Sequence, residues 1–314
     1  MSLLIRSPHP VYVDADEWYR AIKAAAPGLE VHVWPDMGDP DAVEVLLGQS
    51  AEPETFARLR NLKLLQLFAA GPDTALRDPA IPPTLPMARL VDECFAATMS
   101  SYVLAAVLRY HRHLDDYARQ QSAREWRVLP TRYAHERTVG IMGLGVLGRD
   151  LAVKLRMLGF NVRAWTRTPK ELAGIAGFNG PQQFAEFLSA SEILVCLLPL
   201  TPTTRGILNR DVFTRMPRGS YLINVGRGDH HVVEDIVAAL DAGQLAGATL
   251  DVHSHDPAPP PAESPLWDHP RVTLTPHIAT RASAASAAGY VVANLERVRA
   301  GLPPLNLVDR TAGY

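Results

Sequence analysis

One glycine-rich segment has the spacing of a nucleotide-binding turn. Gly143, Gly145 and Gly148 form the pattern G-x-G-x-x-G, with Val146 and Leu147 between the last two. The segment lies between a predicted strand and a predicted helix, where such glycines allow a tight turn and close approach of a pyrophosphate to the helix N-terminus. We therefore predict that these five residues bind a dinucleotide. A glycine-rich turn without a ligand is the alternative.

The residues after the next predicted strand indicate which dinucleotide binds. A cofactor with a free ribose 2′-hydroxyl usually meets Asp or Glu about twenty residues beyond the glycines. No carboxylate occurs at 151–170, and the segment instead contains Thr166, Arg167, Thr168 and Lys170. Two cations and two hydroxyls complement a 2′-phosphate. The segment predicts NADP, with NAD possible; an ordinary basic surface loop is the alternative.

His253, His255 and Asp256 form the other cluster of chemically active side chains. Two histidines and a carboxylate resemble part of a metal site, but no third cluster in register completes one. We therefore predict no metal and interpret both histidines as lining or surface residues.

Hydrophobic patterns in the first ninety residues indicate elements of an α/β domain. A helical pattern covers Asp16–Ala26, and four proline residues between Pro79 and Pro86 predict a connection to a second unit. The predicted strands are Leu3–Arg6, Glu30–Trp34, Val43–Leu47 and Lys63–Phe68. Strands that alternate with helices predict a parallel sheet.

The segment from Phe95 to Leu129 contains no Gly or Pro and has apolar residues at three- and four-residue steps. This pattern predicts one long amphipathic helix. We expect it to pack in a core and bridge two domains; a dimer face is the alternative.

A second set of alternating elements follows, ending in a helix near Arg281–Ala300. Its predicted strands are Thr138–Met142, Asn161–Trp165, Glu192–Leu197, Ser220–Val225, Ala248–Asp251 and Val272–Leu274. The expected fold is α/β, with two doubly wound (Rossmann/flavodoxin-like) domains and the active site in the interdomain cleft. We assign 1–95 with 283–314 to a substrate domain and 96–282 to a dinucleotide-binding domain.

Composition excludes several classes of function. The chain has 314 residues, of which 47% are hydrophobic, and 31 basic residues nearly balance 33 acidic ones. Without a positive field, nucleic acid is not an expected partner. The apolar runs are too short to span a membrane, and two cysteines are too few for a disulfide framework. We predict a soluble, unprocessed cytoplasmic protein.

Five ordered motifs give the chain a close resemblance to the D-isomer-specific 2-hydroxyacid dehydrogenases. Besides the glycine motif, they are Leu198–Pro202, Asn224–Gly228, Leu250–Val252 and Thr275–His277. The resemblance covers nearly the whole chain. Within the family it is greatest to the glyoxylate/hydroxypyruvate reductase type, through the segment 165–170 and the ending 308–314.

The resemblance implies roles for individual residues. Arg227 binds a 2-keto acid, as a guanidinium between two glycines can do. His277 protonates the carbonyl oxygen, since imidazole titrates near neutrality. Asp256 replaces the family's Glu as partner of His277 and is one methylene shorter, so we expect a weaker ion pair. The remaining implied contacts are Ala70 and Gly71 with the substrate carboxylate, Asp251 with the nicotinamide, and Pro199 and Thr204 with the adenosine side.

The sequence therefore predicts an NADP-preferring reductase that converts a small 2-keto acid to a D-2-hydroxy acid. Members of the family dimerise through the cofactor domain, and this resemblance together with the long helix predicts a homodimer. Two alternatives are an NADP(H)-sensing regulatory binding protein of the same fold and a formate- or phosphite-type dehydrogenase. The presence of both Arg227 and His277 disfavours the sensor.

Overall fold

The computed structural model describes residues 2–7, 13–256 and 258–313. The chain divides into two compact units, one formed by Met1–Phe95 with Arg281–Tyr314 and the other by Ala96–Thr280. Each unit contains one parallel sheet. The predicted α/β class is confirmed.

The first unit has a five-stranded sheet in the order β2-β1-β3-β4-β5. Its last helix packs on its first, and alanines at Ala284, Ala287 and Ala288 allow that close contact. The elements are β1 Ser2–Ile5, α1 Ala15–Ala25, β2 Glu30–Val33, β3 Val43–Leu47, α2 Pro53–Arg58, β4 Leu64–Gln66, α3 Asp73–Arg77, β5 Met87–Ala88 and, at the end of the chain, α10 Ala284–Arg299. The strand order is that of the flavodoxin-like doubly wound fold.

The second unit has seven parallel strands in the order β12-β11-β10-β9-β6-β7-β8. The elements are α4 Glu93–His111, which begins in the first unit, α5 Leu114–Ser122, β6 Thr138–Met142, α6 Val146–Met157, β7 Asn161–Thr166, β8 Ala176–Asn179, α7 Phe184–Ser189, β9 Ile193–Cys196, α8 Arg210–Arg215, β10 Ser220–Asn224, α9 Val233–Asp241, β11 Leu245–Leu250 and β12 Val272–Leu274. This order extends the Rossmann arrangement by one strand, and it reverses direction between β6 and β9.

The predicted single helix over Phe95–Leu129 is wrong. The helix α4 ends at His111, and His113 adopts a left-handed conformation with φ of 55° before α5 begins. Its ring Nδ1 lies 3.1 Å from the Asp116 carboxylate, so the side chain satisfies a local polar group where the helix breaks. After Ser122 the backbone is irregular up to residue 133. Apolar periodicity records burial and does not report such a break.

The helix α4 does pack in a core, as predicted. Met99, Val103, Val107 and Tyr110 are buried against the strands of the second sheet. In the described part of the chain, no helix has both the length and the apolar character needed to cross a membrane.

Candidate active site

The glycine-rich turn joins β6 to α6, at the position where the strand order reverses. Gly143 has φ of 104°, a conformation that side-chain-bearing residues avoid, and a Cβ on Gly148 would lie 2.0 Å from the Gly143 oxygen. In contrast, nothing in the protein lies within 4 Å of the Cβ position of Gly145. Two glycines thus close the turn while the third leaves its outer side open, which fits a pyrophosphate against the N-terminus of α6.

The basic segment after β7 lies beside this turn. The Lys170 ammonium is 3.3 Å from the main-chain oxygen of Leu144, within the glycine motif. Arg167, Thr168 and Lys170 are exposed, whereas Thr166 is buried and its hydroxyl donates to the Thr168 oxygen. The hydroxyl of Thr166 therefore shapes the loop, and the exposed residues fit a 2′-phosphate better than it does.

Pro199 and Thr204 lie in the loop after β9, the strand on the other side of the reversal. The Thr204 hydroxyl donates to the Pro199 oxygen at 2.7 Å and accepts from the Thr201 main-chain N–H at 2.8 Å. These contacts fix the loop beside the carboxyl end of β9. Contact of either residue with an adenosine stays a prediction.

The other predicted catalytic residues follow three adjacent strands. Arg227 follows β10, Asp251 and Asp256 follow β11, and His277 follows β12. Because neighbouring parallel strands lie about 4.8 Å apart, their carboxyl ends form one continuous edge. The sheet therefore brings these residues together from segments fifty positions apart in sequence.

The turn that carries Arg227 is held by buried polar side chains. The Asn224 amide donates to the Arg227 oxygen at 3.0 Å and accepts from the Gly226 N–H at 3.1 Å. His230 accepts from the Arg227 N–H at 3.0 Å, and His231 faces the Asn224 amide at 2.9 Å. Both histidines therefore have an unprotonated Nδ1. Burial lowers the pKa of His231 to about 4, so its ring is neutral at physiological pH.

The turn that carries His277 is organised by the Asp251 carboxylate, which is fully buried. One oxygen accepts from the Thr275 hydroxyl at 2.5 Å and the Ile278 N–H at 2.9 Å, and the other from the Ala279 N–H at 2.8 Å. The Tyr102 hydroxyl, on α4, lies 2.6 Å from that of Thr275. Asp251 thus fixes the Thr275 side chain before the histidine and the main chain after it, and its contact with a nicotinamide stays a prediction.

His277 itself has strained backbone geometry. Its φ is 52°, in the left-handed region that a residue with a side chain seldom adopts. Its N–H donates to the Asp251 main-chain oxygen at 2.9 Å. Backbone strain of this kind persists where surrounding contacts over-determine it, and such positions concentrate at functional sites.

Asp256 pairs with His277, with 3.5 Å between the carboxylate Oδ2 and the ring Nδ1. The shorter side chain therefore still reaches the histidine. The other oxygen, Oδ1, is 3.1 Å from Nε2 of His253. Interpreting His253 only as a lining residue missed this contact, although its spacing of three residues from Asp256 was a usable signal. Among the described residues, no three or more His, Cys, Asp or Glu side chains are grouped so as to hold a metal ion.

In the first unit, Ala70 and Gly71 lie in the loop between β4 and α3. Within the described residues, their main-chain N–H groups have no hydrogen-bond acceptor. Such N–H groups suit a carboxylate, and their role in substrate binding stays a prediction.

The second unit matches a known protein family. A family model described as D-isomer specific 2-hydroxyacid dehydrogenase, NAD binding domain, matches residues 104–279. The chain is also 39% identical over 311 residues to a glyoxylate/hydroxypyruvate reductase A from Yersinia enterocolitica, covering 98% of each protein. The chain belongs to the D-isomer-specific 2-hydroxyacid dehydrogenase family. The predicted family and the prediction of an enzyme are thus confirmed.

Solved structures of family members agree with this assignment over full chain lengths. A family member from Xanthobacter autotrophicus, in complex with NADPH and MES, has a TM-score of 0.94 at 39% identity, with 100% of both chains covered. An NADPH-dependent glyoxylate/hydroxypyruvate reductase from Sinorhizobium meliloti, in complex with NADP and sulfate, has a TM-score of 0.91 at 35% identity, with the same coverage.

Within this family fold, several residues of the site have roles that the sequence did not reveal. Asn224, His230 and His231 hold the Arg227 turn, and Thr275 links Tyr102 to Asp251. The contact between Tyr102 and Thr275 joins residues 173 positions apart and leaves no local pattern in the sequence. Asn224 and His230, in contrast, each bond to Arg227 only three residues away.

Proposed function

We propose that this enzyme uses NADPH to reduce a small 2-keto acid of the glyoxylate or hydroxypyruvate type to a D-2-hydroxy acid. The observation that carries the proposal is the ion pair of His277 with Asp256 on the same sheet edge as Arg227. A proton donor with a carboxylate partner, beside a fixed guanidinium, suits the reduction of a carbonyl next to a carboxylate. Relatives named as glyoxylate/hydroxypyruvate reductases support this substrate class.

The residues present fit NADP. The open side of Gly145 and the α6 N-terminus would hold the pyrophosphate, and Arg167, Thr168 and Lys170 the 2′-phosphate. The dinucleotide, when bound, supplies the hydride that reduces the carbonyl carbon. Solved relatives described as complexes with NADPH or NADP support this choice of cofactor.

The side chains of the chain supply the remaining chemistry. The Arg227 guanidinium, which donates to the Gly226 oxygen at 2.8 Å, is oriented to bind and polarise the keto acid. The His277 imidazolium directs Nδ1 at Asp256, which leaves Nε2 to hold the proton and deliver it to the carbonyl oxygen. Asp256 orients the ring for this transfer through its contact with Nδ1. We propose that Ala70 and Gly71 bind the substrate carboxylate through their N–H groups.

The test is NADPH oxidation at 340 nm with a panel of 2-keto acids, followed by chiral analysis of the product. We expect turnover with glyoxylate and hydroxypyruvate, and a D-configured product from hydroxypyruvate. Tight NADPH binding without turnover of any keto acid would refute the reductase and favour a sensor. Turnover of formate or phosphite with NADP would favour the other alternative.

The proposal includes a cytoplasmic homodimer. Neither Cys94 nor Cys196 forms a disulfide, consistent with a reducing compartment. The irregular segment 123–133 exposes Trp126 and Val128, with 100% and 84% of their surface accessible. Large apolar side chains exposed together are typical of an association surface. Light scattering should give twice the chain mass of 34.3 kDa; the mass of one chain would exclude the dimer.

A further inference from the structure

Asp256 lies between two imidazole rings, one of which has no part in the proposed reaction. Its Oδ2 faces His277 Nδ1 at 3.5 Å, and its Oδ1 faces His253 Nε2 at 3.1 Å. The His253 contact is the shorter of the two. The contact with His253 therefore holds the Asp256 carboxylate in place while it pairs with His277.

The hydrogen bonds of His253 define its tautomer. The main-chain N–H of His255 donates to His253 Nδ1 at 3.2 Å, so Nδ1 is unprotonated. The ring proton must then be on Nε2, which donates to Asp256. A doubly protonated ring would lose the bond from His255. The geometry therefore requires a neutral His253 that donates one hydrogen bond to the carboxylate.

His253 is itself rigidly placed. Its N–H donates to Asp256 Oδ2, and the Asp256 N–H donates to the His253 oxygen, both at 3.2 Å. Its main chain packs directly under Gly228, where a Cβ would lie 1.8 Å from the His253 carbonyl carbon. Only 11% of the His253 side chain is exposed. The ring therefore has a fixed position relative to both the Asp256 loop and the Arg227 turn.

The charges around His253 agree with a neutral ring. Burial lowers the pKa of His253, the Asp256 carboxylate opposes that shift, and His255 and His277 add to it. His231 also faces His253 and is neutral for the reason given above. Since His253 carries no charge near neutral pH, the carboxylate charge remains available to His277.

We propose that His253 is a positioning residue for the reduction: its neutral imidazole holds the Asp256 carboxylate and aims it at His277. This role rests on the proposed function. Without the bond from His253, Asp256 could rotate toward solvent, and the imidazolium would lose part of its support. His253 acts only through Asp256 and does not contact the reacting atoms.

Three variants test the role of His253. His253→Phe keeps an aromatic ring and removes the donor, and His253→Gln keeps a donor near the position of Nε2. His269→Phe, which makes the same replacement in a His–Asp contact away from the site, is the matched control. We expect His253→Phe to lower kcat about tenfold at pH 8.5 and only about twofold at pH 6.5, since proton supply limits the rate at high pH. His253→Gln should recover most of this loss, and KM for NADPH should change less than twofold.

A second measurement does not depend on turnover. Nitrogen-15 NMR of histidine-labelled protein should show His253 as the neutral Nε2–H tautomer at pH 7 and 8, and Asp256→Asn should change its Nε2 shift. A His253→Phe enzyme with the wild-type pH profile, or an Nδ1–H or doubly protonated His253 at pH 7, would overturn the proposal. An inactive wild-type enzyme would instead refute the proposed function and the positioning role with it, whatever the NMR shows of the contact.

Discussion

Replacement of the Asp251 carboxylate perturbs the site most sharply, because that carboxylate holds the strained turn of His277 by three hydrogen bonds. We expect Asp251→Asn, which preserves shape, to lower kcat by about one to two orders of magnitude. An asparagine has one oxygen where the aspartate has two. If that oxygen keeps Thr275 and Ile278, the amide N–H₂ must face the Ala279 N–H, and two donors meet in a buried place.

The magnitude follows from the cost of that unsatisfied donor. A buried N–H without an acceptor costs about 1–3 kcal/mol, and the φ of 52° at His277 stores a comparable strain that the three bonds now oppose. Relaxation of the turn would relieve both costs and displace the imidazole from Asp256. A free-energy loss of about 1–3 kcal/mol in productive geometry corresponds to a factor of about 5–150 in rate.

The assay is steady-state reduction of the best keto acid, with denaturant unfolding and NADPH binding measured in parallel. Asp241, which is exposed at the end of α9, provides the matched control Asp241→Asn, and we expect that variant to retain wild-type kcat. An Asp251→Asn enzyme with wild-type kcat would show that the carboxylate does not hold the His277 turn. A loss confined to the affinity for NADPH would instead assign Asp251 to cofactor binding.

Three further outcomes are expected. Arg167→Ala should raise KM for NADPH about tenfold and KM for NADH less than twofold, because only NADPH loses a charge-assisted contact; equal effects would refute the 2′-phosphate site. The pKa of His231 is lowered to about 4 from 6.5, so the folded state binds that proton more weakly than the unfolded chain and loses stability as pH falls between these values. Urea unfolding at pH 7 and 4.5 should show a loss about 2 kcal/mol larger in wild type than in His231→Asn, which keeps an acceptor for Asn224; equal losses would exclude a neutral buried ring. Trp126→Ser with Val128→Ser should convert the dimer to a monomer in light scattering, and an unchanged dimer would place the interface elsewhere.

The strands were predictable because each is a short apolar run between polar residues. The predicted bounds of Val43–Leu47, Thr138–Met142 and Val272–Leu274 agree with the structure residue for residue. The strands Ala176–Asn179 and Met87–Ala88 were missed, since only Phe178 is buried in the first and the second has only two residues. A periodic pattern needs several buried positions in succession, and neither of these strands has more than two.

The functional residues also differ in how far their roles could be predicted from the sequence. The glycine motif and Arg227 could be predicted because short-range spacing determines their geometry. The part of Asp251 in holding the His277 turn depends on how loops from neighbouring strands meet. The contact of His253 with Asp256 lies within one loop, and its three-residue spacing could have indicated it. Contacts between loops follow from the order of the strands in the sheet, and the sequence predicts the class of fold but not that order.

Gly228 couples the Arg227 turn to the Asp256 loop, so that the two segments must change together. Because the His253 main chain occupies the space where a side chain at 228 would lie, no substitution there is tolerated unless the other loop also moves. A new substrate preference reached through either loop alone must therefore preserve this contact. Laboratory evolution that randomises the two loops together should recover active variants that randomising them one at a time cannot reach.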